Sequence, residues 1–577
     1  MSVRHEMHTL LRGALRPPDN DSAFLLDVHR RAVPRERMAT YDEAYAVDLL
    51  IVGAGAGGST LAQRLARRGW KVVVLEAGPF WDPDADWVSD EAGSHKLYWT
   101  EERVIAGEDP VELGKNNSGR GVGGSMVHYA GYCPRFHPSD FEVRTRDGVA
   151  QDWPISYEDL RPHYERLEVE LPVAGEQWPW GHPHRYPHSP HPIAGGAERA
   201  WEGARKLGIE MRVGPVGITN GSFGNRPHCI YRGFCLQGCK VNAKASPLVT
   251  HLPDAIEHGV EIRDLCMATR VELDDATGRV TGVHYIRSDE TGQREASEHF
   301  QRADAVAVAG YSIETPRLLL NSTSRRFPRG LGNSTDQVGR CVMVQGAPQV
   351  AGRFPMEMRM YKAPPPEICS EQFYETDPAR GFARGFSIQT VGPLPIEWAQ
   401  HVMADGHWGR ALREYMRDYN YWYTLGILSE LLPRPENRVT LDPEVRDRHG
   451  LPVARMSYSQ CENDRKNIAF AKHKLHEIFE AAEAQDVLVI DRYAHLVGGC
   501  RMGSDPEHSV VDSDHRVWDI PNLFVADGSV MPTQGSANPA LTIMALSSRL
   551  ADRLAHGRLD AARAGARRTE SIPAATG

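Results

Sequence analysis

VDLLIVGAGAGGSTLAQRLARRGWKVVVLEAG, Val47 to Gly78, reads as a strand, a glycine turn, a helix and a second strand. Leu49, Leu50, Ile51 and Val52 form a short apolar run suited to a strand buried on both faces, and Gly53, Gly55 and Gly58 follow in the G-x-G-x-x-G pattern. Gly53 permits the tight turn, Gly55 lets the backbone approach a pyrophosphate, and Gly58 lets the helix lie close to the strand. The helix N-terminus then faces the phosphate with unpaired amides. Leu61 and Leu65, with Ala62 and Ala66, supply an apolar helix face, Gly69 ends the helix, and Val72 to Leu75 make the second strand. Glu76 closes that strand, where a carboxylate accepts hydrogen bonds from ribose hydroxyls. The unit predicts a dinucleotide with an unphosphorylated ribose, either NAD or FAD. The competing reading is a glycine-rich turn of another α/β protein.

The 577 residues suffice for two or more domains, and 41% hydrophobic with 25% charged residues is ordinary for a soluble globular chain. A net charge of −10, without basic runs, argues against a nucleic-acid partner. No apolar signal segment opens the chain and no run reaches the length of a membrane span. Nine scattered cysteines fit a reducing compartment, and a cytoplasmic location is expected. Residues 1–46 read as an N-terminal extension with an amphipathic patch from Phe24 to Val33, and 557–577 as a small, charged, disordered tail.

SGRGVGGSMVHYAGYCPRF, Ser118 to Phe136, is too rich in glycine for a stable helix, counting Gly119, Gly121, Gly123, Gly124 and Gly131 with Gly114 just before it. It is either a flexible surface loop or backbone that must approach something closely. At the other end, AHLVGGCRMG carries His495, SANPALT carries Asn538 behind Ser536 and Ala537, and a strand Leu523 to Ala526 runs into Asp527 and Gly528.

Together with the first motif, GRGVGGSMVH and these C-terminal segments resemble the glucose-methanol-choline (GMC) oxidoreductase family, over roughly Asp48 to Leu554. The nearest motifs are those of its gluconate or sugar dehydrogenase-like and pyranose oxidase-like members. The resemblance decides FAD over NAD. It implies an α/β fold in which a Rossmann-type FAD-binding domain (47–150, 230–340 and 490–556) is interleaved with a substrate domain on an antiparallel sheet (151–229 and 341–489). The loop through Gly123, Gly124 and Ser125 would pass over the flavin. His128 matches a histidine that in some members bonds covalently to the flavin and in others could only hydrogen-bond. Asp527 and Gly528 would meet the ribityl-phosphate side, Gly310 would bring backbone near the cofactor, and Val271 would pack on the adenine. Pro539 would start a helix facing the flavin pyrimidine.

His495 and Asn538 match the family's catalytic pair. Oxidising an alcohol requires removal of the hydroxyl proton as hydride leaves carbon, which suits a neutral imidazole. Asn538 cannot take a proton; its amide can orient the substrate oxygen. The implied reaction is FAD-dependent oxidation of a CH–OH group in a sugar, polyol or aminoglycoside, with oxygen, a quinone or a redox protein accepting the electrons.

Two stretches carry further alternatives. WPWGHPHRYPHSPHP, Trp178 to Pro192, holds four histidines among prolines; with no carboxylate or cysteine beside them a substrate-domain loop is favoured over a zinc site. Its aromatics would suit stacking on a sugar ring. HCIYRGFCLQGCKVNAKASP, His228 to Pro247, brings Cys229, Cys235 and Cys239 within eleven residues. It resembles the cysteine-rich region of family subunits that pass electrons to a cytochrome, although Arg232 stands where a further cysteine often occurs. The thiols are ligands of an iron–sulfur cluster or, with another ligand, of a zinc ion, or else free cysteines in a packed loop or an opportunistic disulfide. Ser156 with Asp159 predicts a helix cap, Thr277-Gly278 a hairpin turn, and Pro433 to Ser459 a second hairpin about Gly450.

Overall fold

The computed structural model describes residues 35–87, 90–111, 118–224, 226–288 and 297–558. The patch Phe24 to Val33, Gly114 and most of the predicted tail lie outside the described residues. From Arg35 the chain runs along the first sheet, where the Tyr41 amide donates to Glu261 (2.7 Å) and its hydroxyl to the Gly259 carbonyl (2.8 Å).

The opening motif folds as read. Leu49–Val52 is the middle strand of a five-stranded, all-parallel sheet, flanked by Val72–Leu75 with Glu261–Arg263 beyond it, and by Val306–Val308 with Leu523–Val525 beyond that. Both faces of the central strands are covered, which explains their unbroken apolar runs. The helix Ala56–Ala66 packs against the last helix, Ala540–Arg553, and two glycines set that closeness. A Cβ on Gly58 would lie 2.0 Å from the Gly53 carbonyl oxygen, and one on Gly57 would lie 1.8 Å from that of Ala526.

The second sheet has eight strands, all antiparallel. Its main path runs Asp486–Ile490, Gln349–Arg353, Trp422–Ser429, Phe386–Val391, Ile368–Ser370 and Arg212–Val213, with Met343–Gly346 and Tyr493–Val497 joined at one end. Period-two alternation separates its faces. Val350, Leu425, Ile427 and Ile388 pack under the helices Gly195–Lys206 and Glu462–Ala481, while Gln349, Gly426 and Gln389 look the other way, into a cavity.

Both predicted hairpins form. Cys266–Asp274 pairs with Arg279–Arg287, which also takes a third strand, Ser297–Arg302. In the other, Arg438–Arg446 pairs with Pro452–Ser457, Val439 facing Met456 and Leu441 facing Ala454. The Ser156–Asp159 capping box opens the helix Tyr157–Glu170. Two strands cross the expected domain borders: Val104–Ala106 pairs with Pro452–Ser457, and Tyr493–Val497 belongs to the antiparallel sheet.

Candidate active site

A cavity of about 560 Å³ lies between the two sheets. Gly53 and Gly55 reach it from the first turn, Gly124, Ser125 and His128 from the second glycine loop, and His495, Asn538 and Pro539 from the C-terminal segment. Segments more than 400 positions apart therefore wall one space, as the resemblance implies. The two glycine loops touch: a Cβ on Gly124 would lie 2.6 Å from the Gly55 Cα. Gly123 supports this contact from outside the cavity wall, its amide donating to the Ala54 carbonyl (3.0 Å). Such a cradle, bare of side chains beside a helix N-terminus, fits a pyrophosphate.

Glu76 lines the cavity, but its oxygens also tie the walls together. Oε2 accepts from the Ala54 amide (2.9 Å), and Oε1 from those of Gly78 (3.0 Å) and Gly121 (3.1 Å). Burial pushes its carboxyl up from the ordinary range, opposed by those amides. Asp527 acts similarly, accepting from the Tyr311 amide (2.9 Å) and the Ser529 amide (2.8 Å) as well as from the Thr315 hydroxyl (2.5 Å). It joins the ends of two parallel strands at the cavity, beside Gly310 and Gly528. Val271 does not reach the cavity. Its side chain is buried in the core and its amide donates to Ser322 (2.9 Å), while Cys266 to Thr269, one step earlier on the strand, line the wall. The strand enters the site at its beginning, so the valine predicted to contact adenine packs beneath the sheet instead.

His128 is 8% exposed, its ring edge-on to Tyr98 at 4.8 Å, and its Nε2 has no hydrogen-bond partner. Burial, with the nearby Lys244 ammonium, pulls its pKa down to about 3, so the imidazole is neutral. A neutral ring with a buried, unpartnered nitrogen facing the cavity fits either use expected of it, a covalent link or a hydrogen bond. Lys244 lies at the end of the cysteine-bearing stretch His228 to Pro247, where nothing in the local pattern singles it out. Its ammonium donates to the carbonyls of Val127 (2.8 Å), Tyr129 (2.8 Å) and Cys235 (2.5 Å), tying the glycine loop to the cysteine loop.

His495 occupies an unusual backbone position. Val344 faces Leu496 and Gln345 faces Ala494, so His495 is the extra residue of a β-bulge, with φ at +45°. Bulges turn a side chain out of the strand's alternation, and a left-handed non-glycine residue costs about 1–2 kcal/mol. The ring is then held from both sides. Nδ1 meets Gln345 Oε1 at 2.7 Å and Nε2 meets Asn538 Nδ2 at 3.2 Å. Gln345 is itself oriented, because its amide nitrogen donates to the carbonyls of Gly535 (2.7 Å) and Ala537 (3.0 Å). Its oxygen can only accept, so the His495 proton sits on Nδ1 and the Nε2 lone pair faces Asn538. Burial lowers the His495 pKa to about 4, keeping the ring neutral above mildly acidic pH. Asn538 Oδ1 has no partner. Ser536 is turned away, its hydroxyl donating to the Gly385 carbonyl (2.8 Å).

The remaining candidates lie elsewhere. Cys229, Cys235 and Cys239 are free thiols in a small apolar cluster with Val216, Ile218 and Ala243. Burial pushes Cys229 up to about 11 and Cys235 to about 12, and among the described residues no three histidines, cysteines or carboxylates are arranged to hold a metal ion. In this arrangement the three thiols pack among apolar side chains, and an iron–sulfur ligand set is not shown. The four loop histidines have separate partners, His182 stacking on Tyr157, His184 edge-on to Tyr186, His188 to Phe223, and His191 bonded to Tyr231 and the Ile218 carbonyl. Trp178 and Trp180 do not line the cavity, where Tyr98, Trp99 and Tyr129 supply the aromatic surface instead. No described helix is long and apolar enough to cross a membrane.

Comparison with known proteins gives the family. Residues 47–344 and 433–547 match the N- and C-terminal family models described as GMC oxidoreductase. A 2-methyl-1,2-propanediol dehydrogenase from Mycolicibacterium austroafricanum is 33% identical, the match spanning 88% of this chain and 94% of that one. The fructose dehydrogenase large subunit of Gluconobacter japonicus is 28% identical over 89% of this chain and 98% of its own. Among solved structures, pyridoxine 4-oxidase from Mesorbium loti superposes with a TM-score of 0.63 at 19% identity, covering 88% of this chain and 99% of that one.

Proposed function

The chain belongs to the GMC oxidoreductase family, and from that premise we propose that it oxidises a CH–OH group of a small polyhydroxylated molecule, a sugar, polyol or aminoglycoside, with His495 as general base. It is an FAD-dependent oxidoreductase acting on CH–OH donors. The observation that carries the proposal is the fixed tautomer: Gln345 on one side of His495 leaves an unprotonated Nε2 beside Asn538 at the cavity wall. FAD, when bound, supplies the acceptor for the hydride that leaves the carbinol carbon. The hydroxyl proton passes to His495 Nε2, and Asn538 Nδ2 exchanges its bond to that nitrogen for one to the substrate oxygen. Gly53, Gly55, Glu76, Gly124 and Ser125 would hold the cofactor, with Gly310, Asp527, Gly528 and Pro539 walling the same cavity.

A general base is worth about 10²- to 10⁴-fold. His495→Ala should therefore slow anaerobic flavin bleaching by an alcohol by that factor while the protein purifies with full FAD. Bleaching at the wild-type rate would remove His495 from the role.

Two finer points belong to the same reading. His128 Nε2 is the atom offered to the flavin, and acid precipitation distinguishes its uses: a yellow pellet marks a covalent link, a yellow supernatant a hydrogen bond. The division into an FAD side (47–150, 230–340, 490–556) and a substrate side (151–229, 341–489) is proposed with Tyr493–Val497 moved to the substrate sheet. A relay through Cys229, Cys235 and Cys239 is not part of the proposal, because among the described residues no three such side chains are placed to hold a metal ion. Reoxidation of the bleached enzyme by air, a quinone or a redox protein identifies the electron acceptor.

A further inference from the structure

The cavity-facing side of the antiparallel sheet carries polar groups that the hydride-transfer chemistry does not use. Gln349 pairs across the sheet with Gly426, and Gly426 pairs in turn with Gln389. Cross-strand partners project on the same face, and adjacent strands lie about 4.8 Å apart, so the two glutamines stand roughly 10 Å apart with a bare glycine between them. A side chain there would crowd both neighbours. A Cβ on Gly426 would come within 2.9 Å of Val391 and 3.4 Å of the Gln349 side chain. All three residues line the cavity. Gln349 is 2% exposed, and its Oε1 has no hydrogen-bond partner. A buried amide oxygen without a partner carries a desolvation cost that a bound hydroxyl relieves.

The charges around the cavity restrict what that ligand can be. Its wall includes five carboxylates, Glu76, Glu91, Glu314, Glu397 and Asp527. Glu76 and Asp527 are bonded to backbone amides as described. Glu91 accepts from the amides of Ile396 (2.6 Å) and Glu397 (2.7 Å) at the start of a helix. Glu314 pairs with Arg103 (3.0 Å) and Arg317 (3.0 Å), and Glu397 faces Arg492 (3.5 Å) and His401 (3.5 Å). Every lining carboxylate is thus engaged by a donor of the protein itself, which weakens its pull on a ligand ammonium. An amide, by contrast, offers a donor and an acceptor together, the pattern of a neutral hydroxyl.

We infer that Gln349 and Gln389, on either side of Gly426, form a recognition floor for the non-reacting hydroxyls of a neutral diol or polyol, holding it while its carbinol end meets His495 and Asn538. This rests on the proposed alcohol oxidation and narrows its substrate class, turning the enzyme away from aminoglycosides.

The test is anaerobic flavin reduction of the holoenzyme with 1-butanol, 1,2-butanediol and 2-amino-1-butanol, which share a carbon skeleton. Wild-type enzyme should reduce fastest with the diol, with kcat/KM at least tenfold above the mono-alcohol and the amino alcohol. Gln349→Leu and Gln389→Leu, read separately, should each lower kcat/KM for the diol about five- to tenfold, through KM, and leave the mono-alcohol unchanged. Equal loss with diol and mono-alcohol, or wild-type preference for the amino alcohol, would overturn the inference. If either variant fails to fold, the wild-type comparison alone decides. Absence of bleaching by any of the three alcohols, or by sugars, would instead count against the alcohol-oxidising reading beneath it.

Discussion

At the scale of single residues the site depends on how one imidazole is held. His495 stands in a strained bulge, accepts from Asn538, and owes its tautomer to Gln345, whose amide is fixed by two carbonyls. With its pKa lowered to about 4, His495 is a competent base at neutral pH and is lost only when protonated. The acid limb of kcat/KM for alcohol oxidation should consequently fall near pH 4 to 5, well below the ordinary histidine value of about 6.5. A limb near 6.5 would mean an exposed base. Gln345→Leu removes the acceptor of Nδ1–H and leaves a buried donor unpaired, which costs about 1–3 kcal/mol. Flavin reduction should slow by about 5- to 100-fold at unchanged FAD content. An unchanged rate would show that the tautomer is held by other means.

At the scale of elements, the glycine turns separate two tasks that one motif combines. A Cβ on Gly55 meets nothing nearer than the Gly124 Cα at 3.8 Å, and φ there is −81°, so the protein itself tolerates alanine. Gly57 has no such room, since a methyl group there would lie 1.8 Å from the Ala526 carbonyl oxygen. Gly55→Ala should therefore leave Tm nearly unchanged while FAD occupancy falls, whereas Gly57→Ala should destabilise the fold by parting the helix Ala56–Ala66 from the end of Leu523–Val525. Full FAD occupancy in Gly55→Ala would mean that its backbone does not touch the cofactor. These turns are legible because each lies within one continuous stretch, where glycine spacing alone encodes the backbone path. The placement of Val271 fails for a related reason: alternation reveals the hairpin, but not the point at which its strand enters the cavity.

Across the whole molecule, buried charge ties the substrate sheet to the catalytic turn. Arg384 is fully buried and pairs with Asp140, with Glu430 (2.7 Å) and with Asp147 (2.8 Å). The Thr533 hydroxyl donates to the Asp140 carbonyl (3.2 Å), and Ser536 to that of Gly385 (2.8 Å), so this cluster underlies the segment leading to Asn538. Arg384→Met leaves buried carboxylates uncompensated, and a loss of about 3–5 kcal/mol is expected in denaturant unfolding. A loss below about 1 kcal/mol would show that the cluster relaxes into water. Buried neutral histidines make stability fall on the acid side. His128 is held at about 3, and His163, His184, His495 and His515 at about 4, all below the unfolded value near 6.5. As pH falls the unfolded chain binds protons first, so their contribution is complete above about 6.5 and is lost on the way down through 4. His137, raised to about 9 by Glu371 and Glu375 against the cost of its burial, has the opposite sign; its contribution is present below about 6.5 and lost above 9. His191, His251 and His449 are lowered too, so the depressed histidines outnumber the raised one, and their titration should lower Tm between pH 7 and pH 4.5; a flat profile would contradict this burial pattern.

The sequence by itself determined the nucleotide turn, the second glycine loop and the identities of His495 and Asn538. Each is written within about ten neighbouring residues, where backbone freedom and side-chain type are local properties. Only the tertiary structure decided the rest. The tautomer of His495 comes from Gln345, 150 positions away, and the floor of the cavity from Gln349, Gly426 and Gln389 on three different strands. No local pattern marks those residues, because strand register is set by long-range pairing, and a shift of one position would turn both glutamines away from the cavity.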